Sequence, residues 1–200
     1  MVIARSLGYR PGSRERRSCR TPEETISHAP TIEIRRATPS DAEALALLGR
    51  ETFAATFGHL YPTDDLDEFL DAAHAPSHYA GVAADPDFAL WIAEAGGRAV
   101  GYAEAGRCLI PHPEVTPQCG ELQRLYVRAE MQGAGLGVRL LETALEWLER
   151  PGRRLWIGVW SLNHGAQRLY RRYGFSKVGE YEFRVGRTRD REFILARPCG

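Results

Sequence analysis

Three glycines, Gly133, Gly135 and Gly137, sit in the segment Gln132-Gly133-Ala134-Gly135-Leu136-Gly137, and the chemistry open to that spacing is the capture of an anion. Glycine turns where other residues cannot and puts no Cβ between the backbone and a ligand. After it, Val138, Leu141, Leu145 and Leu148 recur at intervals of three and four, which predicts a helix. A helix start carries N–H groups without intrahelical partners and the positive end of the dipole. A glycine loop that opens a helix therefore suits a pyrophosphate. No Gly-Lys-Ser/Thr follows the loop, and its spacing is not G-x-G-x-x-G, so the two familiar nucleotide loops are excluded. A tight strand-to-helix turn would account for the same glycines if nothing else in the chain agreed.

The elements that would position this loop are legible around it. Leu122 to Val127 is an apolar run with the β-formers Tyr126 and Val127, bounded upstream by Gly120, and reads as a buried strand. The helix stops at Pro151 and Gly152. Next comes Arg154 to Trp160, a continuous apolar run that predicts an interior strand. Ser161 or Asn163 caps a short helix carrying Ala166, Leu169, Tyr170 and Tyr173 at helical spacing, and Gly174 ends it.

Elsewhere, Thr31 to Arg36 reads as a first strand. A helix begins at Thr38-Pro39-Ser40-Asp41 and runs to Gly58, and a second helical region spans Pro62 to Ala84 with a break at Pro76. Phe88 to Glu94 and Arg98 to Arg107 form a hairpin across Gly96-Gly97, and Phe175 to Phe183 and Arg189 to Ala196 are the last strands.

Two blocks together carry a resemblance. The strand Leu122-Gln123-Arg124-Leu125-Tyr126-Val127 with the loop at 132–137, and Trp160-Ser161-Leu162-Asn163 through Tyr170 to Gly174-Phe175, resemble the GNAT superfamily of N-acetyltransferases. The likeness covers roughly residues 31 to 197. It implies an α/β (α+β) single domain, 31–200, whose central mixed, mostly antiparallel sheet has about seven strands and about four flanking helices. It also implies acetyl-CoA as cosubstrate, with no metal, held by Leu125, Tyr126, Val127, the loop from Gln132 to Val138, Asn163 and Tyr170. Acetyl would pass directly to a primary amine in a ternary complex. The amides around Leu125 and Val127 would face the thioester oxygen, Tyr170 would be the general acid toward sulfur, and Glu121 is the candidate base, with Glu51 and the carboxylates at 64–68 as rivals.

A finer likeness lies in residues 51–58, 69–73 and 155–160 and in the tail after Gly174, which look like a bacterial subgroup that includes spermidine/spermine acetyltransferases; a polyamine acceptor follows from it as a lead. A peptide N-terminus, an amine antibiotic and a non-catalytic CoA-binding module are the alternatives. Members of the superfamily often pair through sheet edges, so a homodimer is an option.

Composition narrows the rest. The formal net charge is zero, which gives no bulk reason to expect nucleic acid. Residues 1–30 hold six arginines with few large apolar residues and read as a disordered arm or the product of an upstream start. The cysteines lack C-x-x-C spacing, and no membrane span or signal segment is apparent, so a reduced cytoplasmic setting is expected. His74 and His78 read as surface histidines rather than metal ligands, because Pro76 between them spoils a regular helix. Cys119 has no accompanying His or Asp pattern for a covalent route. The acidic run Asp64, Asp65, Asp67, Glu68 and Asp71 reads either as a solvated helix start or as a wall attracting a cationic amine.

Overall fold

A computed structural model of the chain describes residues 31–198, so the arginine-rich arm lies outside the described residues. Seven strands form one sheet in the order β1-β2-β3-β4-β5-β7-β6. Their bounds are β1 Ile32–Arg36, β2 Ala89–Ala95, β3 Arg98–Arg107, β4 Gly120–Val127, β5 Leu155–Trp160, β6 Ser176–Val185 and β7 Thr188–Arg197. Every neighbouring pair is antiparallel except β4 and β5, which run parallel. Parallel neighbours need a crossover, and the helix after the glycine loop supplies it.

The helices are α1 Ala42–Phe57, α2 Thr63–Ala73, α3 Pro76–Ala84, α4 Leu136–Leu148 and α5 His164–Arg172. The helical region expected over 62–84 divides at Pro76 into α2 and α3, because proline suits a first helical turn and not an interior.

Apolar clusters cover the two faces of the sheet. On one, Leu136, Leu140, Leu141, Ala144, Leu145 and Leu148 of α4 pack with Leu122, Leu125 and Val127 of β4 and with Tyr170 of α5. On the other, Leu45, Leu48, Phe53 and Phe57 of α1 pack with Tyr79 of α3 and with Ile92, Tyr102 and Tyr126 of the sheet. The α4 stripe keeps Leu141, Leu145 and Leu148 of the one read off the sequence and adds Leu136, Leu140 and Ala144. The helix starts two residues earlier, at Leu136, and Val138 is only half-buried.

Candidate active site

The parallel pair of strands defines the site. β4 and β5 are in register over only three residues, Gly120 with Leu155, Glu121 with Trp156 and Leu122 with Ile157. Both strands continue past that point, to Val127 and Trp160, and they diverge. β3 stays with β4 throughout, the last pair being Gly101 with Val127, and a bulge at Gln123 shifts the register on the way. The Arg128 N–H donates to Val100 O on β3 at 2.9 Å. Alternation along a strand then turns the amides of Leu125 and Val127 to the opposite edge, into the opening that β5 leaves.

The glycine loop lies at the C-terminal end of β4. Gly133 and Gly135 take φ of 80° and 81°, the left-handed region that favours glycine. Gly135 is the N-cap of α4 and has no side chain to offer the orphan amides. The N–H groups of Gly133, Ala134, Gly135, Leu136 and Gly137 therefore donate to no acceptor among the described residues. Gln132 and Val138 stand at the edges of this nest in a different role. The Gln132 amide donates to Ala129 O and the Val138 amide to Gly135 O, while the Gln132 Nε2 donates to Val127 O at 3.2 Å and ties the loop to the strand. The five unsatisfied donors and the dipole of α4 fit a pyrophosphate.

α5 carries Tyr170 into the apolar cluster that α4 forms with β4 and β5. Asn163 Oδ1 accepts the Ala166 N–H at 3.0 Å, and Gln167 Nε2 donates to Ser161 O at 2.9 Å, which fastens the turn between β5 and α5. Asn163 thus serves as the helix cap. Two turns on, Tyr170 is fully buried, edge-on to Phe175, and its hydroxyl has no hydrogen-bond partner among the described residues. Burial, with the neighbouring Tyr126, raises its pKa well above the usual tyrosine value, so the hydroxyl keeps its proton at neutral pH. Tyr126 itself lies on the other face of the sheet, stacked on Tyr102 at 5.3 Å.

Glu121 occupies the paired base of β4, 1% exposed, its Oε2 accepting the Leu109 N–H at 2.7 Å. Burial pushes its pKa up to about 8, against the pull of that amide. Four residues, about 13 Å of strand, separate it from Leu125. Glu51 is committed to Arg128 at 2.5 Å. In the acidic run, Asp65 is buried and accepts from the Arg187 N–H at 3.1 Å, and Asp71 pairs with Arg50, leaving Asp64, Asp67 and Glu68 exposed.

A buried polar network under α3 was not foreseen. Tyr79 OH bonds His74 Nδ1 at 2.7 Å, Tyr102 OH at 2.9 Å and Arg124 Nη1 at 3.1 Å. Arg124 also faces Glu104 at 3.5 Å, and His78 Nε2 meets Glu104 Oε2 at 3.2 Å. His74 is therefore a core histidine, 2% exposed, and not a surface one. Burial, aided by Arg124, pushes its pKa down to about 2 and keeps it neutral. Burial alone would raise the Glu104 pKa, but Arg124 and His78 hold it below the ordinary carboxylate value. Arg124→Met removes the balancing charge and is expected to cost about 3–5 kcal/mol of stability at neutral pH. Urea unfolding checks this, and a loss below about 1 kcal/mol would show that Glu104 does not depend on it.

Glu192 of β7 was also missed. It is buried opposite Trp160 of β5 and accepts from Tyr181 OH at 2.9 Å. Nearby, Tyr61 bonds Asp190. At Glu104 the signal in the sequence is a lone carboxylate among small and apolar residues, but Glu192 follows Arg189, Asp190 and Arg191 and carries no such signal, and its partner Tyr181 comes from cross-strand register.

Residues 49–175 match the family described as the acetyltransferase (GNAT) family. An uncharacterized N-acetyltransferase in the pepI 3' region of Lactobacillus delbrueckii subsp. lactis is 30% identical over 169 residues, 82% of this chain and 95% of that protein. Among solved structures, the PaiA N-acetyltransferase of Thermoplasma acidophilum in complex with coenzyme A superposes with a TM-score of 0.63 at 19% identity, covering 84% of this chain and 99% of that one. The ribosomal-protein-S18-alanine N-acetyltransferase of Escherichia coli gives 0.60 at 20% identity, covering 85% and 95%. At these identities the two structures speak to fold alone. Among the described residues no helix is long and apolar enough to cross a membrane.

Proposed function

The chain belongs to the acetyltransferase (GNAT) family and is an acetyl-CoA-dependent N-acetyltransferase, and from that premise we propose that its acceptor is a cationic primary amine of the polyamine kind. The observation that carries the acceptor class is the acidic start of α2, where Asp64, Asp67 and Glu68 are exposed and form no ion pair among the described residues. A local excess of negative charge of this kind attracts an ammonium.

The transferase domain is taken to span 31–200. Acetyl-CoA supplies an acetyl thioester, whose carbonyl carbon is open to attack by the amine. The nest at 133–137 would hold the pyrophosphate, and Leu125 and Val127 would aim their amides at the carbonyl oxygen, where charge grows in the transition state. Tyr170, protonated and otherwise unbonded, would give its proton to the departing sulfur. Glu121 is the proposed base. Its distance from Leu125 makes a water chain the route by which it takes the amine proton.

That role has a pH signature. A base with a pKa near 8 is protonated and idle below it, so kcat/KM should rise with pH and level off above about 8. In Glu121→Gln the limb should vanish and the plateau fall by about 100-fold. The same shift bears on stability. The folded pKa lies above the unfolded one, so stability is full below the ordinary carboxylate value and is lost as pH rises through about 8. Glu121→Gln should flatten that decline while leaving the fold intact. A normal rate limb in the variant would remove Glu121 from the mechanism, whatever its effect on stability.

The functional test is product analysis. Spermidine incubated with the protein and acetyl-CoA should gain the mass of one acetyl group, and fragmentation should place it on a terminal amine. Acetylation of peptide N-termini with none on spermidine would overturn the polyamine assignment and keep the enzyme class.

A further inference from the structure

A second cationic feature lies at the far end of α4 from the glycine loop, about 20 Å away along a 13-residue helix. It is a cavity of about 530 Å³ between the end of β3, the loop leading into β4 and the C-terminus of α4. Arg107, Arg150 and Arg153 line it, with Trp147 as aromatic wall and Asp87 as its one carboxylate.

Several guanidinium groups of the chain are matched with acids, as Arg35 is with Asp41 and Glu94, and Arg197 with Glu149. Arg107, Arg150 and Arg153 form no ion pair among the described residues. Arg153 is the most constrained. Its Nε donates to Gln118 O at 3.1 Å, while its Nη1 is buried and has no acceptor among the described residues. Burial, and then the charge of Arg150, lower its pKa. Arg36 adds a fourth cation over Trp91 at 5.0 Å and Trp147 at 5.9 Å, and it too is unpaired with any acid.

The dipole of α4 explains why Arg150 and Arg153 follow that helix, since its C-terminal end favours cations. It does not explain a buried nitrogen left without an acceptor, which costs as much as a lost hydrogen bond. We propose that this cavity is a binding site for a small phosphorylated anion, separate from the cofactor nest. Guanidinium forks match phosphate oxygens two at a time, and the missing acceptor of Arg153 is what such an oxygen would supply. Trp147 offers an apolar wall to whatever organic group carries the phosphate.

Calorimetric titration of the full chain, held saturated with CoA so that the nest is filled, tests this with inorganic pyrophosphate as probe. Saturable binding that weakens with added salt is expected. Arg153→Gln and Arg107→Gln should each weaken it at least about tenfold, and Arg153→Lys by less. Arg98→Gln, which breaks only the exposed pair with Glu130, should leave it unchanged. Should Arg153→Gln fail to fold, the exposed Arg107 decides the matter. No saturable binding to the wild-type chain, or equal affinity in Arg107→Gln, overturns the proposal. A chain that fails to take up CoA refutes the cofactor reading instead, and the titration of the two arginine variants then proceeds without CoA.

Discussion

Gly135→Val should leave a folded protein that has lost its grip on CoA, with affinity down by at least about 100-fold. The two halves of that outcome have separate causes. A Cβ built on Gly135 meets nothing within 4 Å, so no steric clash unfolds the chain. The penalty in the free protein is conformational, because φ of 81° suits glycine and a β-branched residue badly, and it amounts to about 1–2 kcal/mol. α4 remains anchored by its six buried apolar residues. The ligand suffers more. A side chain at the N-cap stands between the phosphates and the amides of 133–137, and shifting φ scatters those amides. Each charge-assisted hydrogen bond lost costs about 1.5–3 kcal/mol, so two of them account for the expected drop. Equilibrium binding of CoA to the folded variant is the measurement, and wild-type affinity there would sink the nest.

Tyr170→Phe should lower kcat by about 10- to 1000-fold with little change in CoA affinity. It should also leave the protein as stable as before, or slightly more so. The hydroxyl is buried with no partner among the described residues, and such a group costs about 1–3 kcal/mol in a folded chain. A fold that needed only a core aromatic at this place would be better served by phenylalanine. The ring's contacts with Phe175 and the surrounding cluster survive the change. A variant that melts lower and turns over normally would make Tyr170 a packing residue.

The site was legible where local rules decide it. Gly133 and Gly135 could be placed because only glycine takes their φ cheaply, and the strand, loop and helix around them followed from punctuation and period. Asn163 and Tyr170 could be placed because a cap and a helical stripe fix their spacing. What stayed hidden depends on register. The bulge at Gln123 decides which β4 residues face which layer, and nothing in Leu122 to Val127 announces it. The same holds for Arg124 meeting Glu104, for His74 turning inward to Tyr79, and for Glu192 coming to rest opposite Trp160. Asp65 misled for a related reason. Its helix start suggested a solvated or substrate-facing acid, and the hairpin that claims it lies more than a hundred residues away, at Arg187. The start of α4 was placed two residues late because Gly135 caps it through backbone conformation, and a glycine cap has no side chain to read.

The most direct test of the central claim is the initial rate of CoA-thiol release from acetyl-CoA, for wild type and Tyr170→Phe side by side, across spermidine, spermine, putrescine, free amino acids and short peptides. Polyamine-dependent release that falls by at least about tenfold in Tyr170→Phe is the result the account predicts. Release that is no faster with any amine than without, by a protein that binds acetyl-CoA tightly, would contradict it and leave the chain a holder of the cofactor rather than a transferase acting on amines.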